Sequence, residues 1–109
     1  MRDGGFSQFE VYWVALDPTL GAEIKKTRPC VIISPDEMNQ GLRTVIVAPL
    51  TSTLRDYPMR VRVDIAGKTS HIVLDQLRTV DKQRLHKPLG RLSKKETQQV
   101  RRILQAMFA

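Results

Sequence analysis

Short apolar runs separated by polar, turn-rich connections run along the chain, and the period of each run predicts its element. Phe9 to Leu16, FEVYWVAL, is rich in β-branched and aromatic residues and stops at Asp17-Pro18, which predicts a strand and a turn. The polar stretch TLGAEIKKTR that follows carries Gly21 and lacks the apolar period of a core helix, so it predicts a long loop leading into a second strand, PCVIIS. A polar link, DEMNQGLR, then precedes Thr44 to Pro49, TVIVAP, whose unbroken apolar character predicts a strand buried on both faces and ending just before Thr51. After the polar loop TSTLRD, Met59, Val61, Val63 and Ile65 alternate with Arg60, Arg62 and Asp64, the pattern of a half-buried strand with a basic outer face. Ala66-Gly67-Lys68 turns this strand into SHIVLD, and two strands so closely joined predict a hairpin.

The C-terminus reads differently. Ser93 and Glu96 have capping-box spacing, and Val100, Ile103, Leu104, Met107 and Phe108 follow a helical period, which predicts an amphipathic helix packed on the sheet. Five short strands and one helix predict an α+β, mainly β fold: a small antiparallel barrel or strongly twisted sheet, since closure removes vulnerable edges. With 109 residues, 41% of them hydrophobic, the expectation is a single domain over residues 1–109 with one modest core.

Composition narrows the chemistry. Cys30 is the one cysteine, so it forms no internal disulfide; it reads as core filler, and no Cys/His spacing suits a metal. No cofactor or metal is expected. The N-terminal MRDGGFSQFE has no apolar signal region and no run is long enough to span a bilayer, which implies a cytoplasmic chain with no membrane role. A formal charge of +7 favours a polyanionic partner such as nucleic acid, although solubility alone accounts for basic surfaces in many proteins.

Two loops stand next to buried strands, KKTRP and PLTST. If the second and third strands pair antiparallel, the start of one and the end of the other meet, bringing Arg28 to Thr51. An arginine beside hydroxyls suits a phosphodiester, because the guanidinium forks onto two phosphate oxygens while Thr or Ser hydroxyls donate further bonds. Spacing alone does not separate this from the commoner arrangement, a surface arginine before a structural Pro29 with Thr51, Ser52 and Thr53 forming a turn. Lys25, Lys26, Arg28, Arg55, Arg78, Lys82 and Arg84 supply charges for a phosphate track, and Tyr57 or Trp13 supplies a ring for a base, Trp13 being equally suited to a core or dimer contact. Arg60, Arg62 and the basic face of the terminal helix, Lys94, Lys95, Arg101 and Arg102, read as solvated surface. His71 and His86 are not brought together by anything in the pattern and are left out of the candidate chemistry.

The strings VYWVALDPTLGAEIKKTRPCVIIS, TVIVAPLTST, YPMRVRV and VLDQLRTVDKQRL, in this order, resemble the MazF/PemK family of toxin endoribonucleases from bacterial toxin–antitoxin pairs. The resemblance covers nearly the whole chain. Its most specific parts are the aromatic-plus-LDPT start, Gly21-x-Glu23 ahead of Arg28-Pro29, Pro49-x-Thr51, and Asp75-Gln76-x-Arg78-Thr79. It implies a homodimer of small β-barrels that cuts single-stranded RNA, usually mRNA, at short sequences without a metal, and an antitoxin partner whose acidic tail covers the basic site. The family's catalytic arginine and threonine fall on Arg28 and Thr51; Lys25, Lys26, Ser52, Thr53, Arg55, Tyr57, Gln76, Arg78, Lys82 and Arg84 are the expected RNA contacts. Asp75 matches an aspartate that some members use near the scissile bond; a buried strand-end carboxylate serves as a base once burial raises its pKa, and otherwise accepts loop hydrogen bonds. Glu23 anchors its loop or acts as base. The chain departs from those members at Val73, where they carry arginine, and at Ala22, where they carry histidine, so their acid–base set does not transfer. A nucleic-acid-binding barrel without catalysis, or a topoisomerase poison of the same fold, is the alternative.

Overall fold

A computed structural model describes residues 5–18, 20–23 and 26–109. The long strand β3 (Thr44–Thr51) is the spine of the sheet. Along one edge it pairs antiparallel with β2 (Thr27–Ile32), through Cys30↔Pro49, Val31↔Ala48 and Ile32↔Val47. Its other edge is shared. Thr44 to Val47 pair with β6 (Arg78–Asp81), and Leu50 and Thr51 pair with β5 (Lys68–Val73) through Ile72 and His71. Between those ladders the facing chain leaves the sheet as a 3₁₀ turn, Leu74–Gln76, opposite the segment that holds Pro49, a residue with no N–H to give to a ladder.

The remaining strands extend the sheet both ways. β1 (Glu10–Ala15) lies on β2, and β7 (Leu85–Arg91) lies on β1 with register shifts. On the other side β4 (Arg60–Ile65) pairs with β5 along its full length, and the hairpin closes through Ala66 and Gly67, at φ 52° and 76°. Positive φ at both central residues matches the right-handed twist of the strands. The strand order is β4-β5-β3-β2-β1-β7 with β6 beside β3, and the outermost strands β4 and β7 come into contact, so the sheet curls into a half-barrel.

Alternation divides the core in two. Val11, Val31, Ala48, Leu50, Val61, Val63 and Ile72 face the helix α2 (Lys94–Met107), which buries Val100 and packs Ile103 against them. Tyr12, Val14, Leu16, Cys30, Ile32, Val45, Val47 and Val80 fill the opposite face. The expectation that β3 is buried on both faces therefore holds. The α2 start is a complete capping box: Ser93 Oγ accepts the Glu96 N–H at 3.1 Å, and Glu96 Oε1 accepts the Ser93 N–H at 2.8 Å. Among the described residues no helix is long and apolar enough to cross a membrane.

Three expectations need correction. DEMNQGLR is not a plain link: Asp36–Gly41 forms a short helix, α1. Polar anchoring makes it, since buried Asn39 accepts a hydrogen bond from Ser34 Oγ at 2.6 Å and donates one to the Ser34 carbonyl at 2.9 Å. Among the described residues there are seven strands rather than five, because β6 is only four residues long and β7 is an edge strand interrupted by Pro88 and Gly90. Arg78 therefore opens β6, and Lys82 and Arg84 occupy a 3₁₀ turn before β7. Asp75 stands exposed on the 3₁₀ turn, not buried at a strand end.

Candidate active site

The β2–β3 register fixes the central relationship. Continued two residues past Cys30↔Pro49, it sets Arg28 opposite Thr51, on the face that carries Cys30 and Val47. Thr51 is the last residue of β3 and half-buried; its Oγ1 accepts the Thr53 N–H at 3.2 Å. That bond occupies an acceptor position and leaves the hydroxyl proton available to donate. Arg28 is half-buried as well. The Cys30 thiol, pushed up to about 12 by burial, is held back by the charges of Arg78 and Arg28, so both guanidinium groups act on this face.

A cleft of about 500 Å³ opens on that face, lined by Leu16, Ala22, Glu23, Pro49, Asp75, Gln76, Leu77 and Arg78. It gathers four of the expected site residues. Glu23 is engaged locally: Oε1 accepts the Leu20 N–H at 2.6 Å and its own N–H donates to the Leu20 carbonyl, which closes the tip of the 17–26 loop. The loop's base is held by Asp17 Oδ1, which accepts the Lys26 N–H at 3.0 Å. Across the β2–β3 seam a second cavity of about 210 Å³ is lined by Trp13, Lys26, Arg28, Leu50, Ser52 and Lys68, among others. Trp13, 36% exposed, belongs to this surface and not to the core.

Other expected contacts serve the scaffold. Arg78 donates to the Leu16 carbonyl at 3.0 Å, and Arg84 donates to the Ala15 and Asp17 carbonyls, so together they pin the end of β1 where the loop departs. Lys82 donates to the Asn39 carbonyl and lies away from the cleft, near Arg43 and Gln83. Thr53, Arg55 and Tyr57 are exposed on the 52–58 loop, and Lys25 lies outside the described residues.

His71, which the sequence pattern leaves aside, is the residue that structure adds. It is 8% exposed, pairs across the ladder with Thr51, and its Nδ1 accepts the Arg55 N–H at 3.3 Å. Nothing in the local pattern of SHIVLD signals this, because the relationship depends on β5 pairing with the end of β3.

A curled antiparallel sheet with a C-terminal helix packed on one face defines a small, basic, mainly β protein. The profile of the PemK-like, MazF-like toxin of type II toxin–antitoxin systems matches residues 7–108, and the chain belongs to that family. It is 38% identical over 97 residues to the endoribonuclease MazF of Staphylococcus saprophyticus, covering 84% of this chain and 81% of the relative. Its fold is similar to that of MazF from Deinococcus radiodurans, with a TM-score of 0.83, 23% identity and 94% of each chain covered. A mycobacterial endoribonuclease in complex with its cognate antitoxin superposes with a TM-score of 0.78 at 22% identity, covering 92% of this chain and 91% of the other.

Proposed function

We propose that the chain is the endoribonuclease toxin of a toxin–antitoxin pair and cleaves single-stranded RNA, mRNA above all, through Arg28 and Thr51 without a metal. The reading is supported by the antiparallel β2–β3 register, which continued past Cys30↔Pro49 brings Arg28 to Thr51, in a chain of the MazF/PemK family. In this reading the RNA 2′-hydroxyl gives up its proton to solvent as its oxygen bonds to the adjacent phosphorus, and the bond to the 5′-oxygen breaks as that oxygen takes up a proton. A 2′,3′-cyclic phosphate and a free 5′-hydroxyl remain. Arg28 forks onto the phosphate oxygens as negative charge grows, or gives the leaving oxygen its proton, and the Thr51 hydroxyl donates to a phosphate oxygen. DNA lacks the attacking hydroxyl and is not cut. Glu23, engaged with the Leu20 amide, shapes the 17–26 loop. Asp75, Gln76 and Arg78 line the cleft on the same face as Thr51 and meet the RNA there.

Two partners belong to the proposal. An antitoxin with an acidic segment complements a chain of net charge +7 and, by covering the cleft, blocks RNA. A second copy of the chain completes a homodimer. The test is incubation of the purified protein with mixed RNA in EDTA, followed by mapping of the new 5′ ends. Discrete ends bearing 5′-hydroxyls are expected in RNA and none in DNA of the same sequence. RNA left intact by the antitoxin-free protein overturns the reading and returns the chain to a binding role.

A further inference from the structure

The basic outer face of β4, which the alternation alone assigns to solvent, is half of a cavity. Arg60 and Arg62, with Gln99 and Arg102 of α2, line a space of about 150 Å³ between the edge of the sheet and the helix. Three of its lining residues are arginines, and among the described residues no acidic residue lines it. The acids that these two elements carry are engaged elsewhere. Glu96 accepts the Ser93 and Asp64 amides through its two oxygens, and Asp64 Oδ1 accepts the Thr69 hydroxyl at 2.6 Å. Arg60 lies 4.8 Å over the Tyr57 ring, and its Nε is buried with no hydrogen-bond partner among the described residues. A buried donor on a charged group calls for an acceptor, and arginines gathered without a carboxylate select an oxyanion.

Its place in the sheet says which oxyanion. Arg62 pairs with His71 and His71 pairs with Thr51, so these three form one row across β4, β5 and β3, and the β2–β3 register continued past Cys30↔Pro49 leads from Thr51 to Arg28. At about 4.8 Å per strand, Arg62 is two strands, roughly 10 Å, from Thr51. A nucleic-acid backbone that contacts the Arg28–Thr51 end and runs over the 52–58 loop, which is tied to buried His71, toward the sheet edge arrives at this cavity. The Tyr57 ring, 52% exposed and stacked with Arg60, adds an aromatic surface beside it.

We propose that Arg60, Arg62 and Arg102 form a phosphate subsite that holds an RNA backbone phosphodiester remote from the scissile one. The inference rests on the endoribonuclease reading above and extends its RNA path to the edge of the sheet. The subsite adds affinity without reading sequence, since guanidinium contacts to phosphate carry no base information.

The experiment compares the full-length protein with Arg62→Ala, Arg102→Gln and the double variant, using anisotropy of a fluorescein-labelled single-stranded RNA of mixed sequence, 2′-O-methylated throughout to prevent cutting. Thermal melting by circular dichroism checks the fold of each variant, and Arg62→Lys tests whether charge alone suffices. Expected is a Kd about tenfold higher for the double variant, with the slope of log Kd against log salt reduced by about one for each phosphate that a removed guanidinium had neutralised. Arg62→Lys recovers the slope but not the full affinity. Folded variants that keep the parent Kd and slope overturn the subsite even if the parent cuts RNA. A reduced slope in variants of a parent that cuts no RNA supports the subsite and removes the endoribonuclease reading instead. If the variants bind RNA normally but lose affinity for poly-glutamate, the cavity receives an acidic peptide and the RNA assignment is wrong.

Discussion

Thr51 stands directly across the β3–β5 ladder from His71, and His71 Nδ1 accepts the amide of Arg55, four residues beyond Thr51. The imidazole thus ties the polar loop after β3 back to the strand that carries the hydroxyl. His71→Phe keeps most of the buried volume and removes the acceptor. About 1 kcal/mol of local stability is expected to be lost, seen as faster hydrogen exchange at the Arg55 amide and earlier proteolytic nicking of the 52–58 loop. Unchanged exchange at that amide counts against the tether.

Arg28 and Thr51 make separable predictions for RNA cleavage. On the proposed mechanism Arg28→Ala removes the charge that would face the developing phosphorane, and cleavage is expected to fall by about 10²–10³-fold or more. Arg28→Lys restores a point charge but not the two-pronged geometry, so it recovers only part of the rate. Thr51→Val keeps the β-branched shape at the end of β3 and removes the hydroxyl. It also removes the acceptor of the Thr53 amide, and Thr51→Ser, which retains both, is expected to recover most of the activity. Cleavage by Thr51→Val at the parent rate would refute the hydroxyl's role.

Cys30 gives a pH dependence that is independent of catalysis. Burial raises its pKa from 9.0 to about 12 against the opposing charges of Arg78 and Arg28. The thiol stays protonated in the folded chain while the unfolded chain ionises, so the contribution is constant below pH 9 and stability falls as pH rises from there toward 12. The full window corresponds to about 4 kcal/mol as an upper bound. Denaturation midpoints measured across this range are expected to decline more steeply for the parent than for Cys30→Ala. Native Cys30 is also expected to resist iodoacetamide near neutral pH, because both burial and the missing thiolate slow the reaction.

Local pattern reveals the parts of this fold that depend on local pattern. The alternation of Val61, Val63 and Ile65, the Ala66-Gly67 turn and the spacing of Val100, Ile103 and Met107 each locate an element, and β3 stands out because it is apolar on both faces. Elements made by tertiary context do not stand out. Asn39 builds α1 through hydrogen bonds to Ser34, and β7 holds Pro88 and Gly90 on an edge where a missing N–H costs little. The same division applies to the site. Arg28 and Thr51 are reachable because an antiparallel β2–β3 pair brings a strand start to a strand end, whereas His71 and Arg62 join the row only through β5, a strand whose pairing with β3 leaves no mark in its own residues.

Glu96 offers a last prediction, because one carboxylate joins two elements. Oε1 completes the α2 capping box on the Ser93 amide, and Oε2 accepts the Asp64 amide at 2.9 Å, closing an N–H on the outer edge of β4. Ser93→Ala removes one capping bond and is expected to cost about 1 kcal/mol. Glu96→Ala removes two bonds and opens the strand edge, so it is expected to cost about 2 kcal/mol, a fall in Tm of roughly 8 °C or more for a chain of this size. Glu96→Gln keeps an acceptor oxygen and carries no charge, which places it between the two. The order of the three melting temperatures is the test: equal losses for Ser93→Ala and Glu96→Ala mean that the bond to β4 contributes nothing.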